Sequence, residues 1–321
     1  MKLASYHVEG RDCIGVAVDK STIADLSSIL ETAGPHTPRS VLELIESGPA
    51  VWEEVRRAAA GIGQAAAVFH KIADIAWYPP ERRPSKICCI ALNNSANADR
   101  ILSGPRHPAM FVKPASALAG HLDPIVCKPH YGCTHPEPEL AVVIGKKAKD
   151  VAPDAAYDHV FGYTIHNDIT LPTMRAQDTF HYRAIHPEPD DPGGMTYVDT
   201  WVSYPGRYKC SDTFACMGPW LVTADEIPRP HDLAVTCLHQ GREITRDNTG
   251  NLFFKIPEVV AFLSGYMTLL PGDIISMGTA LNKAARGGAV QNIDLNKLGG
   301  PVSVTIEGIG TLTNPVQRDS P

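Results

Sequence analysis

The residues His135-Pro136-Glu137-Pro138-Glu139 open directly onto the apolar run Leu140–Ile144. Residues two apart on a strand point to the same face, so Glu137 and Glu139 present paired carboxylates. Two such charges repel unless a cation or a proton sits between them. By itself the pair is more often the solvated entrance to a strand. A third carboxylate changes the balance. Gly162-Tyr163-Thr164-Ile165-His166-Asn167-Asp168 reads as a strand that delivers Asp168 at its end. Three carboxylates without a thiol make a hard, oxygen-rich ligand set. Such a set selects Mg2+ or Mn2+, with Ca2+ also admitted, over zinc. An ion of this kind chelates an α-oxo acid and polarises its carbonyl as a Lewis acid.

Other candidates carry less. His166 precedes Asp168 by two residues and so shares its side of a strand. A neutral imidazole there could take a proton from water or from a substrate carbon. The plainer reading is a packed or surface histidine. His107, in Gly104-Pro105-Arg106-His107-Pro108, is weaker still in a chain with 13 His. Cys127, His130, Cys133 and His135 lie within nine residues. Their intervals are shorter than those of structural zinc sites, so the segment reads as a loop. Gly308-Ile309-Gly310 lacks the third glycine of a dinucleotide fingerprint.

The elements that must position these groups are strand-rich. Lys86–Ala91, Glu139–Gly145, Gly162–Asp168, Ile274–Met277 and Val302–Ile306 read as strands, and Thr311-Leu312 follows the turn at Glu307–Gly310. Pro257 suits a first helical turn, with Val259, Val260, Leu263 and Met267 at helical spacing. Upstream, Leu3–Val8 and Cys13–Val18 form β-like runs about the turn Glu9-Gly10-Arg11. Ser40 and Glu43 have the form of a capping box, with Gly48 as a stop. The Ala-rich segment Val51–Phe69 reads as a second helix. Tyr78-Pro79-Pro80 and Arg82-Arg83-Pro84 form a linker. The expectation is an α+β, β-rich chain with a small α+β unit over residues 1–80 and a catalytic domain over 85–321.

Composition sets the outer bounds. At 321 residues, the chain has room for one or two domains. A net charge of −6, with no run of Lys and Arg, argues against a nucleic-acid partner. No stretch approaches the roughly 20 apolar residues that cross a bilayer. The N-terminus lacks a signal-peptide apolar core, so a soluble cytoplasmic protein is expected. Eight Cys without a C-x-x-C pair read as reduced, mostly buried thiols.

Four blocks in order resemble the fumarylacetoacetate hydrolase superfamily. They are E-P-E-L-A-V-V-I-G-K, F-G-Y-T-I-H-N-D, K-C-S-D-T-F-A-C-M-G-P-W-L-V-T and M-T-L-L-P-G-D-I-I-S-M-G-T, and the closing V-S-V-T-I-E-G-I-G-T-L-T-N-P-V also fits. The resemblance covers residues 86–316. It implies a catalytic domain of mixed rolled β-sheets, usually in a homodimer, acting on a small oxo acid. It implies Mg2+ or Mn2+ held by Glu137, Glu139 and Asp168. It also implies a substrate-side lysine at Lys209 and a threonine, Thr279, near the substrate carboxylate or oxo groups. An ammonium at Lys209 would stabilise the negative charge that develops on an enolate.

The chain departs from the family in two places. Many members carry a lid G-L-N-Y-x-x-H-x-x-E, whose His and Glu activate water. Here the run Ala91–Arg100 has Asn97 at the histidine position and Arg100 at the glutamate position. Asn accepts no proton at neutral pH and Arg stays charged. After Asp168, the family's substrate-contacting Arg is replaced by Pro172, and Arg175 is the nearest substitute. Three readings follow. One is a metal-dependent hydrolase of a C–C bond in a β-diketo or acylpyruvate-type acid. A second is a decarboxylase, hydratase or tautomerase, which needs the same enolate but no hydrolytic water. A third is a non-catalytic binder of metal and oxo acid. The Pro-, Asp- and His-rich stretch Thr179–Asp199 reads as an insertion.

Overall fold

Seven consecutive buried residues, Pro138–Ile144, make the central strand of the chain. A strand covered on both faces is apolar throughout rather than alternating. Here Leu140, Val142 and Ile144 enter one core cluster, while Ala141 and Val143 enter another. In a computed structural model of the protein, residues 1–30, 37–62, 67–281 and 290–319 are described.

The central strand belongs to a mixed sheet of 12 strands. Along the main path the order is Phe69–Lys71, Thr22–Asp25, Arg11–Ala17, Lys2–Val8, Ala215–Thr223, Val160–Asp168, Pro138–Ile144, Ile274–Thr279, Ile87–Ala91 and Ala109–Lys113. Neighbours on this path are antiparallel except Ile274–Thr279 and Ile87–Ala91, which run parallel. A four-stranded sheet, Arg242–Asn248, Ala234–His239, Val302–Ile306 and Gly310–Asn314, contributes Val235, Cys237, Val304 and Leu312 to one of the two clusters. The helix Ile256–Tyr266 adds Val259, Val260 and Leu263 to the same cluster, at the expected spacing.

The N-terminal hairpin forms as its turn dictates. Glu9 and Gly10 take φ of 49° and 76° between the strands Lys2–Val8 and Arg11–Ala17, as a two-residue hairpin turn requires. This hairpin joins the large sheet, because Lys2 and Leu3 pair with Val222 and Leu221. Its core is shared too: Leu3, Ile14, Val41 and Leu44 cluster with Ala141, Ala215 and Ile274.

Two helical boundaries differ from expectation. Ser40 caps the helix Val41–Glu46 as predicted, accepting from the Glu43 N–H. Gly48, at φ +82°, ends that helix but also begins the next, Gly48–Ala60. The second helix stops at Gly61, whose N–H reaches the Arg57 and Ala58 carbonyls. Phe69, expected to be helical, instead pairs with Ala24 in the sheet. The expected insertion is a hairpin of its own, Thr179–Pro187 with Met195–Ser203. No described helix is long and apolar enough to cross a membrane.

Close backbone packing fixes the strand that carries Asp168. A Cβ added at Gly162 would lie 2.3 Å from the Val222 carbonyl oxygen on the neighbouring strand. Backbone cannot yield as a flexible side chain does. Gly162→Ala is therefore expected to destabilise the chain by about 1–3 kcal/mol or more, measured by urea unfolding.

Candidate metal centre

Two adjacent strands converge on the acidic residues. In the pairing of Pro138–Ile144 with Val160–Asp168, Glu139 stands opposite His166 and Pro138 opposite Asn167. Glu137 lies just before its strand, yet it is tied to the other one. Asn167 Oδ1 accepts from the Glu137 N–H at 3.0 Å, and the Asp168 N–H donates to the Glu137 carbonyl at 2.8 Å. One carboxylate oxygen from each of Glu137, Glu139 and Asp168 then lies within 4.8 Å of the others.

Glu139 is 3% exposed and is gripped by neutral donors from the strand Ile274–Thr279. The Ser276 hydroxyl donates to Oε2, the Gly278 N–H donates to Oε2 at 3.0 Å, and Thr279 Oγ1 donates to Oε1 at 3.0 Å. Gly278 must be glycine for this grip. Its φ is +104°, and a Cβ would meet the Asn93 Cβ at 2.8 Å. Asn93 in turn bonds the Met277 carbonyl at 2.8 Å and the Phe254 N–H at 2.7 Å, which braces that side.

Two ammoniums answer the other carboxylates. Lys209 Nζ donates to Glu137 Oε2 at 2.6 Å and to Asp168 Oδ2 at 2.5 Å. Lys113, fully buried, donates to Asp168 Oδ1 and, at 2.7 Å, to the Phe214 carbonyl. Burial opposes the charge on Lys209, but Asp168, Glu137 and Glu139 outweigh it and hold the ammonium above its ordinary range. Burial also opposes ionisation of Glu137, but Lys209 and then His135 outweigh it and hold that carboxyl low. Glu139 goes the other way. Burial, then the charges of Asp168 and Glu137, push it above the usual carboxylate range.

The residues present therefore fit a divalent cation. Their ligating atoms are all oxygens, and the third buried carboxylate has only neutral donors in contact. A cation beside Glu139 would restore the ionised form that its surroundings disfavour. Such hard donors suit Mg2+ or Mn2+.

The cluster forms part of the wall of a cavity of about 430 Å3. Thr279, Arg175 and Lys209 line it with the three carboxylates, as do Pro172, Phe111 and Tyr208. His166 does not line it. Strand alternation puts His166 on the expected side, but its Nδ1 lies 2.6 Å from Ser276 Oγ, which stands between it and Glu139. Burial lowers it to about 3, so it stays neutral. Among the described residues, His166 reaches the cluster through Ser276, in a packed position. His107 stacks on Phe262 at 5.2 Å and lines a different cavity. The side chains of Asn97 and Arg100 lie outside the described residues. Among the described residues, Cys127, His130, Cys133 and His135 form no metal-holding group.

Sequence reading passed over several residues that act here. Lys113 and Ser276 lie on strands with nothing in their own segments to mark them. Asn167 carried a signal, because an Asn before a ligand Asp can hold neighbouring backbone. His135 also carried one: its Nε2 lies 3.1 Å from Glu137 Oε1, two residues on.

A β-rich fold of this topology, with three carboxylates gathered on a cavity wall, is the architecture of an enzyme whose site could hold a metal ion. Residues 86–317 match the fumarylacetoacetate (FAA) hydrolase C-terminal family, and the chain belongs to that family. The mitochondrial oxaloacetate tautomerase FAHD2A of Bos taurus is 32% identical over 246 residues, covering 76% of this chain and 70% of that one. Maleylpyruvate hydrolase from Sphingobium sp. SYK-6, solved in complex with manganese (II) ion and pyruvate, superposes with a TM-score of 0.71 at 26% identity over 100% of both chains. 5-carboxymethyl-2-hydroxymuconate delta-isomerase from Mycobacterium smegmatis gives a TM-score of 0.68 at 26% identity, again over 100% of both chains.

Two outcomes are expected. Glu139→Gln and Asp168→Asn should each weaken Mn2+ binding by more than about 100-fold in calorimetry, since outer partners alone are worth about 10–100-fold. Unchanged affinity in both variants would remove the assignment. Lys113→Met leaves a buried Asp168 oxygen without its cation and should cost about 3–5 kcal/mol in urea unfolding.

Proposed function

We propose that this enzyme interconverts keto and enol tautomers, or double-bond isomers, of a small α-oxo acid, with Arg175 reading a second carboxylate. The carrying observation is the state of the cavity wall. Among the described residues, its carboxylates are engaged by Lys113, Lys209, His135 or the Ser276–Thr279 donors. The wall's imidazole, His135, is bonded to Glu137. No described side chain on the wall is left free to activate a hydrolytic water, and Asn97 and Arg100 replace the acid–base pair of the family's lid. Tautomerisation asks less of the protein. Once charge on the oxo oxygen is stabilised, the carbon proton can exchange with solvent.

When bound, a divalent ion at the three carboxylates supplies Lewis acidity toward the oxo-carboxylate end of the substrate. The chain's own residues do the rest. Lys209 stays charged and uses two of its three N–H groups on Glu137 and Asp168, leaving one for a developing enolate oxygen. Thr279 donates to Glu139 and keeps lone pairs that can accept from an enol hydroxyl. Arg175 lines the cavity and carries a guanidinium with the geometry to clasp a carboxylate. The name of the bovine relative, an oxaloacetate tautomerase, supports this reading.

Purified protein with Mn2+ or Mg2+ should speed the decay of oxaloacetate's enol absorbance to its equilibrium value, with NMR showing the same keto–enol mixture as without enzyme and no cleavage or decarboxylation product. Cleavage of an acylpyruvate into two acids would replace this reading with the C–C hydrolase, which the likeness to maleylpyruvate hydrolase favours. Lys209→Met should lower kcat by about 10²–10³-fold. Arg175→Ala should raise KM for a dicarboxylate about tenfold or more, with little change for a monocarboxylate, since charged hydrogen bonds contribute about 1.5–3 kcal/mol.

A further inference from the structure

We propose that a second cavity beside the candidate site receives an apolar, preferably aromatic, arm of the substrate, and that Leu92 and Phe253 select for it. This cavity has a volume of about 390 Å3. Apolar space of about 150 Å3 already admits benzene. Ala91, Leu92 and Ala109 line both this cavity and the first, so the two meet at those residues. A molecule held by its oxo-carboxylate end in the first has the second next to it.

The wall of the second cavity is made largely by Leu92, Ile101, Pro105, Ala109, Phe253 and Phe254. Two of its polar side chains are already committed. Glu258 Oε2 accepts from the Lys255 N–H at 2.7 Å. His107 Nδ1 lies 3.1 Å from the Pro108 carbonyl oxygen, and its ring stacks on Phe262. Among the described residues no Lys or Arg lines this cavity, whereas Lys209 and Arg175 line the first. A carboxylate of the ligand therefore stays in the first cavity, and Glu258 sets a like charge against one in the second.

Large apolar side chains beside this space stay open to solvent. Leu92 is 59% exposed and Phe253 43%. Covering them with an aryl or alkyl group removes apolar surface from water. Leu92 is also held at φ +54°, a left-handed conformation uncommon outside glycine. Its buried neighbour Asn93 holds the segment in place. Asn93 Nδ2 donates to the Phe254 carbonyl at 3.0 Å and to the Met277 carbonyl at 2.8 Å, and its Oδ1 accepts from the Phe254 N–H at 2.7 Å. One amide thus ties Leu92, the Phe253–Phe254 wall and the strand that ends at Thr279 into a single frame. The second cavity shares its framework with the first.

Arg175 lines the first cavity and not the second, so a carboxylate at Arg175 and an apolar arm past Leu92 can belong to one molecule. The substrate class that fits both cavities is an α-oxo acid carrying an aryl or branched alkyl group at or beyond its β-carbon. The oxo-acid end rests on the proposed function, and the apolar arm rests on the second cavity.

Calorimetry on the full chain with Mn2+ compares 2-oxobutanoate with 2-oxo-4-phenylbutanoate, which differ by one phenyl group. The phenyl acid should bind at least about tenfold more tightly, as burial of an aromatic ring implies. Phe253→Asp places a charge in the second cavity, and Ser103→Trp, on an exposed segment, fills it. In each variant the ratio of the two affinities should fall toward one, with circular dichroism showing a folded chain. Should Phe253→Asp fail to fold, Ser103→Trp decides. Equal affinities in the wild type, or a phenyl preference that survives in the folded variants, would overturn the apolar arm and leave the oxo-acid reading intact. Binding of neither acid would remove the oxo-acid reading, and the apolar arm with it.

Discussion

The structure depends on one electrostatic constraint: three carboxylates are brought together away from bulk water. Ionised groups in that position are costly unless they are paired and hydrogen-bonded. Lys113 and Lys209 answer Asp168 and Glu137 from two separate segments. Glu139 receives only hydroxyl and backbone donors. Lys113 and Lys209 match Asp168 and Glu137, which leaves Glu139 without a cationic partner, and that unmatched carboxyl is what fits the cluster to a divalent cation.

The framework is shaped to hold that imbalance. Strands Pro138–Ile144 and Val160–Asp168 sit in the middle of the large sheet, and their register sets Glu137, Glu139 and Asp168 side by side. On one flank, Ile274–Thr279 supplies the donors to Glu139. Lys113 ends the strand Ala109–Lys113 at the edge of the sheet path, and Lys209 sits on the short helix Arg207–Cys210. The site thus draws on elements that share no local sequence, and the sheet is what brings them together.

Much of this was legible before folding. The period-two spacing of Glu137 and Glu139 stated their shared face, and the apolar run after them stated a buried strand. Asp168 at a strand end, the Ser40–Glu43 cap and the Glu9–Gly10 turn all express local rules that hold in the folded chain. The errors were also local. The Ala-rich stretch after Gly48 has helical character, but Gly61 ends the helix and Phe69 is claimed by pairing with Ala24. His166 was assigned to the correct side of its strand. Only the depth of burial behind Ser276 removed it from the cavity wall.

The sequence by itself determined which atoms could bind a metal, because oxygen ligands at strand spacing are a property of residue type and backbone period. It also determined which acid–base groups are missing, since Asn97 and Arg100 cannot take a proton whatever their position. The tertiary structure alone decided the charge state of those ligands. That state follows from Lys113 and Lys209 lying 55 and 41 residues away from Asp168 along the chain, and from how little water reaches Glu139. Coulombic coupling and desolvation depend on distance through space, which local sequence does not encode.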